Sequence, residues 1–246
     1  MTATAILLFT IVVAASAATQ AVTGFGFTLL ALGILGWWME LREASVLLAP
    51  AGLAMNLLLF IRLRHHFAWN GHWPLFLAAF AGVPVGVVFL LQVDLRLLEL
   101  VLAAVMFVGA AQGLRAIEAE HPTVWHPVWA GVPLGALGGI LAGAFGLGGP
   151  PVVSFLLNRP LNRFQFVTTI QALFTMTSTV RVTQLVWLGK LDRSDLPTVV
   201  PAIAAASFGA FTGLHLLHRM SDRLVRRLVL WFVVACGLRY LWAALM

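Results

Sequence analysis

Two groups of residues stand out against an otherwise apolar chain, and both could handle an anion. The first is a pair of glycine clusters. In the second half the chain reads Gly138-Gly139-Ile140-Leu141-Ala142-Gly143-Ala144-Phe145-Gly146-Leu147-Gly148-Gly149-Pro150-Pro151. Gly146, Gly148 and Gly149 allow backbone angles closed to other residues, and Pro150 and Pro151 fit best in the first turn of a new helix. A helix beginning near residue 127 is therefore expected to break here, with a short helix starting at about Pro150. A helix N-terminus carries unbonded N–H groups and a partial positive charge, which suits an anion. The first half offers the same device at Gln20-Ala21-Val22-Thr23-Gly24-Phe25-Gly26, without the prolines. The competing reading is close helix packing, because Gly131, Gly135, Gly139 and Gly143 form a small-residue ridge at spacing four. Both readings are expected to hold: the ridge packs the helix, and the break from Gly146 to Pro151 forms the site.

The second group is a polar stripe. Thr168, Gln171, Thr175, Ser178 and Arg181 follow steps of three and four, so on a helix they share one face. The matching run in the first half carries Ser45, Gly52 and Asn56 on one face, with Asn56 over Ser178. Hydroxyls in membrane helices often bond only the preceding turn or a neighbouring helix. Arg181 differs, because a charge at membrane depth costs at least ~2.5–3.5 kcal/mol and needs a cavity or a partner. Its alternative is to snorkel from near the helix end to the interface. Glu99, near the start of the run 97–114, is the one acidic residue inside an expected span, and a deep Arg181 is expected to take an incoming anion as its counter-charge. Gln20 and Gln112 are isolated amides suited to packing hydrogen bonds, and Gln20 also opens the first glycine break. The residues expected to meet a substrate are Gln20, Thr23, Gly24, Gly26, Asn56, Gly146, Gly148, Gly149, Gln171, Thr175, Ser178 and Arg181. His215 and His218 have no third ligand nearby and His65-His66 sits in a basic loop, so no metal site and no cofactor is expected.

The elements that must position these residues follow from composition. The chain is 61% apolar and 10% charged, against roughly 45–50% and about 25% for soluble domains. So few charges could not cover a soluble surface, whereas lipid tails solvate outward apolar side chains. The net charge of +6 is spread over short breaks between apolar runs, at Arg62 and Arg64, Arg159 and Arg163, and Arg219 to Arg227. That is a positive-inside pattern and not a nucleic-acid footprint. The single cysteine, Cys236, excludes an internal disulfide and reads as a packing residue. Trp37, Trp38, Trp69, Trp73, Trp125 and Trp187 flank span ends as an aromatic belt would.

Apolar runs lie at 3–20, 25–38, 44–61, 73–91, 97–114, 127–144, 149–158, 165–187, 196–216 and 224–245. The runs 25–38 and 149–158 are too short to cross comfortably, and each follows a glycine cluster. The list repeats. Gly24-Phe25-Gly26 lies over Gly146-Leu147-Gly148 at an offset of 122, Pro74 over Pro197 at 123, and Gly82 and Gly86 over Gly209 and Gly213 at 127. The expected fold is an all-α polytopic membrane protein of one domain, residues 1–246, with homologous and inverted halves at 1–120 and 121–246. Each half holds a glycine-broken helix or re-entrant pair plus three spans. Met1 to Gln20 imitates a signal peptide but lacks a positive n-region and has a repeat partner at 127–144, so it is expected to be a retained membrane helix.

The motif Gly143-x-x-Gly146-x-Gly148-Gly149-x-Pro151, its position after the first helix of a repeat, and the duplicated layout resemble the TauE/SafE family of membrane permeases. That family is related to sulfite and sulfonate exporters and to 4-toluene sulfonate uptake permeases, and the resemblance runs over essentially the whole chain. The first half departs from the family pattern where Phe25 and Phe27 flank Gly26. The resemblance implies a multi-pass permease of the cell membrane for sulfite, an organosulfonate or a related organic acid anion, working by alternating access. Coupling to a proton fits such carriers, although no acidic residue in the middle of a span marks a proton carrier. Nothing in the chain sets an oligomeric state.

Two other classes fit the sequence less well. An intramembrane enzyme would need chemistry that is missing from the sequence, which has no His-Glu-x-x-His, no Gly-x-Ser-x-Gly and no aspartate pair in spans. A structural subunit of a membrane complex gains nothing from buried helix ends. Substitution of Gly148 or Gly149 by Val is expected to abolish transport, and of Gly135 to lower stability. For topology, an inverted arrangement puts nine basic residues on one side and five on the other, which sets both termini outside the cytoplasm. A reporter active only in the cytoplasm, fused to Met246, should therefore stay silent; strong activity would invert the assignment.

Overall fold

A bilayer offers no water to backbone N–H and C=O groups, so a spanning segment must satisfy them within itself. The computed structural model describes residues 2–23, 26–67, 69, 71–118, 126–216 and 222–245. Those residues form ten α-helices, two short 3₁₀ turns and no strand. The first five helices are α1 (Ala3–Thr23), α2 (Phe27–Leu35), α3 (Leu41–Leu63), α4 (Trp73–Gln92) and α5 (Leu95–Glu118). The second five are α6 (Pro127–Phe145), α7 (Gly149–Leu157), α8 (Arg163–Trp187), α9 (Leu196–Leu216) and α10 (Asp222–Leu245). Each apolar run of the sequence thus becomes one helix, and the two short runs become the nine-residue helices α2 and α7. Five helices among the described residues are long and apolar enough to cross a membrane: 3–21, 41–66, 73–92, 127–145 and 193–213. The chain is an all-α, multi-pass membrane protein.

Local chemistry sets the helix starts. Asn162 and Gln165 form a reciprocal capping box at α8, with Gln165 N donating to Asn162 Oδ1 at 2.9 Å and Asn162 N to Gln165 Oε1 at 3.0 Å. Pro74 and Pro127 sit in first turns, where a missing N–H costs nothing. Basic side chains close several ends. Arg42 donates to Leu90 O at 2.9 Å and to Val93 O at 2.7 Å at the end of α4. Beyond α2, Arg239 donates to Gly36 O, and Tyr240 OH donates to Leu32 O at 2.7 Å. Cys236 is buried beside them. Outward faces carry apolar side chains such as Leu7, Ile11, Leu77 and Phe80, and Trp37, Trp38, Trp69, Trp73 and Trp187 are exposed. Trp125 lies outside the described residues.

Packing pairs the elements across the halves. Helix α4 lies on α6, α1 on α9, α5 on α10 and α3 on α8. The glycines make the first two contacts possible. A Cβ on Gly135 would stand 2.5 Å from Leu75 O, and one on Gly82 would stand 2.5 Å from Ala136 O. At Gly86, Gly139 and Gly143 it would fall on the carbonyls of Ile140, Ala79 and Val83. The register Gly135–Leu75, Gly139–Ala79, Gly143–Val83 advances by four on both sides, so α4 and α6 run parallel. In α9, Gly209 and Gly213 meet the backbone of Ala14 and Ala18 in the same manner. The α3–α8 contact runs the other way. Thr168 Oγ1 donates to Leu63 O, Asn56 Nδ2 to Ser178 Oγ, and Arg181 Nη2 to Ser45 Oγ, so α3 descends as α8 ascends.

The ridge therefore sets backbone-to-backbone contact, where overpacking costs about 1–3 kcal/mol or more. Gly139→Val and, in the other half, Gly209→Val should each lower the melting temperature in detergent by several degrees. An unchanged melting temperature for both would contradict the close contacts.

Candidate functional site

The second break is built as a helix stop followed by a helix start. Helix α6 ends on Gly146, which holds φ 74° and ψ 22°. Gly146 N donates to Ala142 O at 2.8 Å, the 5→1 bond of an αL cap, and Leu147 N donates to Leu141 O at 3.2 Å. A residue with a Cβ is strained at this φ. Gly148 does not share that need. It heads α7 with φ −65° and ψ −7°, an ordinary right-handed conformation, which corrects the expectation that its backbone angles demand glycine. What restricts Gly148 is space: a Cβ there would stand 3.2 Å from Gly138 O, 3.3 Å from Ala142 Cβ and 3.5 Å from Phe174. Pro150 and Pro151 carry no N–H, so among the first three residues of α7 only Gly149 has one to offer. In the first half, Gly26 precedes α2 with φ 109°, again a conformation for glycine.

Arg181 closes the carbonyl side of the second break. It is 3% exposed, so it lies deep and does not snorkel to an interface. Its Nε donates to Gly143 O at 2.9 Å, and its Nη2 reaches Ala144 O at 3.2 Å, Ser45 O at 3.1 Å and Ser45 Oγ at 2.6 Å. Ser45 Oγ also donates to Ala144 O at 3.0 Å. The last carbonyls of α6 carry its negative dipole end, and the guanidinium stands against them. The space a Gly146 Cβ would take lies 2.8 Å from Arg181 Nη1 and 3.2 Å from Thr28 Oγ1. Thr28, in the first turn of α2, donates to Gly146 O at 3.1 Å and ties the two breaks together.

The two breaks face one small cavity of about 20 Å³, room for roughly one water molecule. Helix α2 brings Gly26, Phe27, Thr28 and Leu29 to it, and the second break brings Gly146, Leu147, Gly149 and Pro150. Gln20, Met55, Asn56 and Phe174 complete the wall. Of the residues expected from sequence, Gln20, Gly26, Asn56, Gly146 and Gly149 line it. Ser178 stands behind Asn56, whose Nδ2 donates to its Oγ at 3.3 Å. Gln171 is fully buried, and Thr175 Oγ1 donates to Gln171 O at 2.7 Å, so that hydroxyl is engaged by its own helix. Gly148 and Arg181 sit behind the wall. Gly24 and the side chain of Thr23 lie outside the described residues, as does the side chain of Gln112. Sequence reasoning missed Thr28. Its signal was a hydroxyl in the first turn of the short helix, where the second half has Pro150 at the same offset of 122. Among the described residues no group of three His, Cys, Asp or Glu gathers to hold a metal.

The chain matches the family model described as Sulfite exporter TauE/SafE over residues 8–240. A protein of Cupriavidus necator described as a probable sulfite/organosulfonate exporter TauE is 25% identical to it over 232 residues, covering 89% of this chain and 86% of its own length. No solved structure matches the chain. With the motif, the ten-helix layout and a match over nearly its full length in agreement, the chain belongs to the TauE/SafE sulfite exporter family and is a membrane transporter.

Proposed function

We propose that this transporter moves a small sulfur oxyanion, sulfite or an organosulfonate, by alternating access between two inverted halves. The observation that carries the reading is the meeting of two helix breaks, one from each half, at one buried cavity. The positive ends of α2 and α7 lie at that cavity, and both favour negative charge. The negative end of α6 lies there too and would cancel them. Arg181 offsets it, which leaves the second break net positive. The relative's description as a probable sulfite/organosulfonate exporter supports the anion class and favours outward movement.

The inverted arrangement is supported by packing. Exchanging the halves turns the α4–α6 pair into α9–α1, and it turns α3–α8 and α5–α10 into themselves. Equivalent helices α3 and α8 run antiparallel, as halves related by an axis in the membrane plane require. A cavity that admits roughly one water is too small for a four-atom oxyanion, so substrate entry requires the walls to part. Rocking of the α4–α6 pair against the α1–α9 pair, each pair joining one helix from either half, would open the cavity to one side and then the other. The sites for Gly148, Gln171, Thr175, Ser178 and Arg181 then act from behind the wall, holding the breaks in place.

Gly146→Val should abolish uptake of labelled sulfite into proteoliposomes while leaving a folded protein in detergent, because the change alters one cap and no apolar lipid-facing surface. Arg181→Gln should lower the melting temperature and weaken anion-induced stabilisation together, since the same guanidinium caps α6 and sets the charge of the break. Normal sulfite flux in Gly146→Val would remove the breaks from the transport site.

A further inference from the structure

We propose that the Gln20 carboxamide is an internal stand-in for the transported anion, and that its displacement on binding releases α1 from α3 and α8. This inference rests on the cavity being the substrate site and adds how the site is kept when no substrate is present.

Gln20 Oε1 accepts from Phe27 N, the first N–H of α2, at 2.9 Å. At its other end Gln20 Nε2 donates to Asn56 Oδ1 at 2.9 Å. Asn56 Nδ2 then donates to Ser178 Oγ at 3.3 Å. The chain runs from the N-terminus of α2 through α1 and α3 to α8, and so from the first half into the second. Gln20 and Asn56 are 4% and 6% exposed, and both line the cavity. Each amide is oriented by its two partners, since reversing either would set like groups face to face.

At the head of a buried helix the first N–H has no intrahelical partner, and leaving it bare at membrane depth is unfavourable. Gln20 supplies the acceptor that an incoming oxyanion would otherwise supply. An anion oxygen that takes Phe27 N–H must first push Gln20 Oε1 away. A charged acceptor makes a bond roughly twice as strong as a neutral amide does, so an oxyanion can win this exchange and a neutral molecule of the same shape gains nothing by it. Loss of that anchor frees the carboxamide, and with it the link from α1 to Asn56 and Ser178. Binding is thereby coupled to the polar contact of α1 with α3 and α8, which alternating access has to loosen.

The distinguishing consequence is that removing this polar wall residue strengthens binding. Gln20→Ala, purified in detergent and titrated calorimetrically with sulfite and with methanesulfonate, should bind about two- to tenfold more tightly than the unmodified protein, because the competing hydrogen bond is gone. Gln20→Glu keeps the shape and places a permanent carboxylate at Phe27 N–H. It should bind neither probe, because the carboxylate already holds that N–H and repels a second anion. Weaker or unchanged binding in Gln20→Ala, or unmodified binding in Gln20→Glu, would overturn the stand-in role while leaving the cavity reading intact. If Gly146→Val binds both probes normally, or if the unmodified protein binds neither, the cavity reading itself fails and the stand-in role falls with it.

Discussion

The buried contact of Arg181 with the last turn of α6 is the interaction on which the second break depends. Stopping a helix inside a membrane leaves carbonyls with no water to accept from, and these carbonyls carry the helix's negative end. Arg181 and Ser45 meet Gly143 O and Ala144 O from neighbouring helices α8 and α3. The same contacts join α3 and α8 at this end, so the two cannot separate there without exposing the break. A lone arginine at this depth would be expensive, and a lone break would be too. Each is the other's remedy, and the pair brings positive charge to the cavity wall.

The first break is solved differently. Its N–H side is closed by Gln20 acting on Phe27 N, and its link to the other half is Thr28 on Gly146 O. The two halves therefore share an outline of helix lengths and glycine contacts while their breaks carry different chemistry: a fixed cation at one and a neutral amide at the other. A neutral amide can give way to an anion, whereas the guanidinium, held by three carbonyls and a hydroxyl, is built to stay. Such an asymmetry suits a site in which one wall is constant and the other responds to the substrate.

Around the breaks, glycine spacing sets the distances. Gly82, Gly86, Gly135, Gly139 and Gly143 bring α4 and α6 to backbone contact, and Gly209 and Gly213 do so for α9 on α1. In lipid no hydrophobic force drives helices together, so close approach must come from small residues and dispersion. These two tight pairs are natural rigid bodies. Helices α3 and α8 pack between them, and the Gln20–Asn56–Ser178 hydrogen bonds there can be exchanged more readily than interlocked backbones.

The membrane class, the ten helices and the positions of both breaks were legible in the sequence because each rests on a local rule. Apolar length marks a span, glycine permits a positive φ at Gly26 and Gly146, and proline starts a helix at Pro150. The expectation that Gly148 needs glycine angles failed because a run of glycines does not say which member turns the chain; Gly146 does, and Gly148 is restricted by the nearness of Gly138, Ala142 and Phe174 on other elements. The partners of the polar groups were also out of reach. A helical stripe from Thr168 to Arg181 predicts a face, but whether that face meets a cavity, a carbonyl or lipid depends on what packs there. Only the tertiary structure places Ser45 and the end of α6 at Arg181, Asn56 at Ser178, and Gln20 at Phe27 N. Sequence periodicity sets direction about one axis, and a site made where six helices converge is decided by the distances between axes.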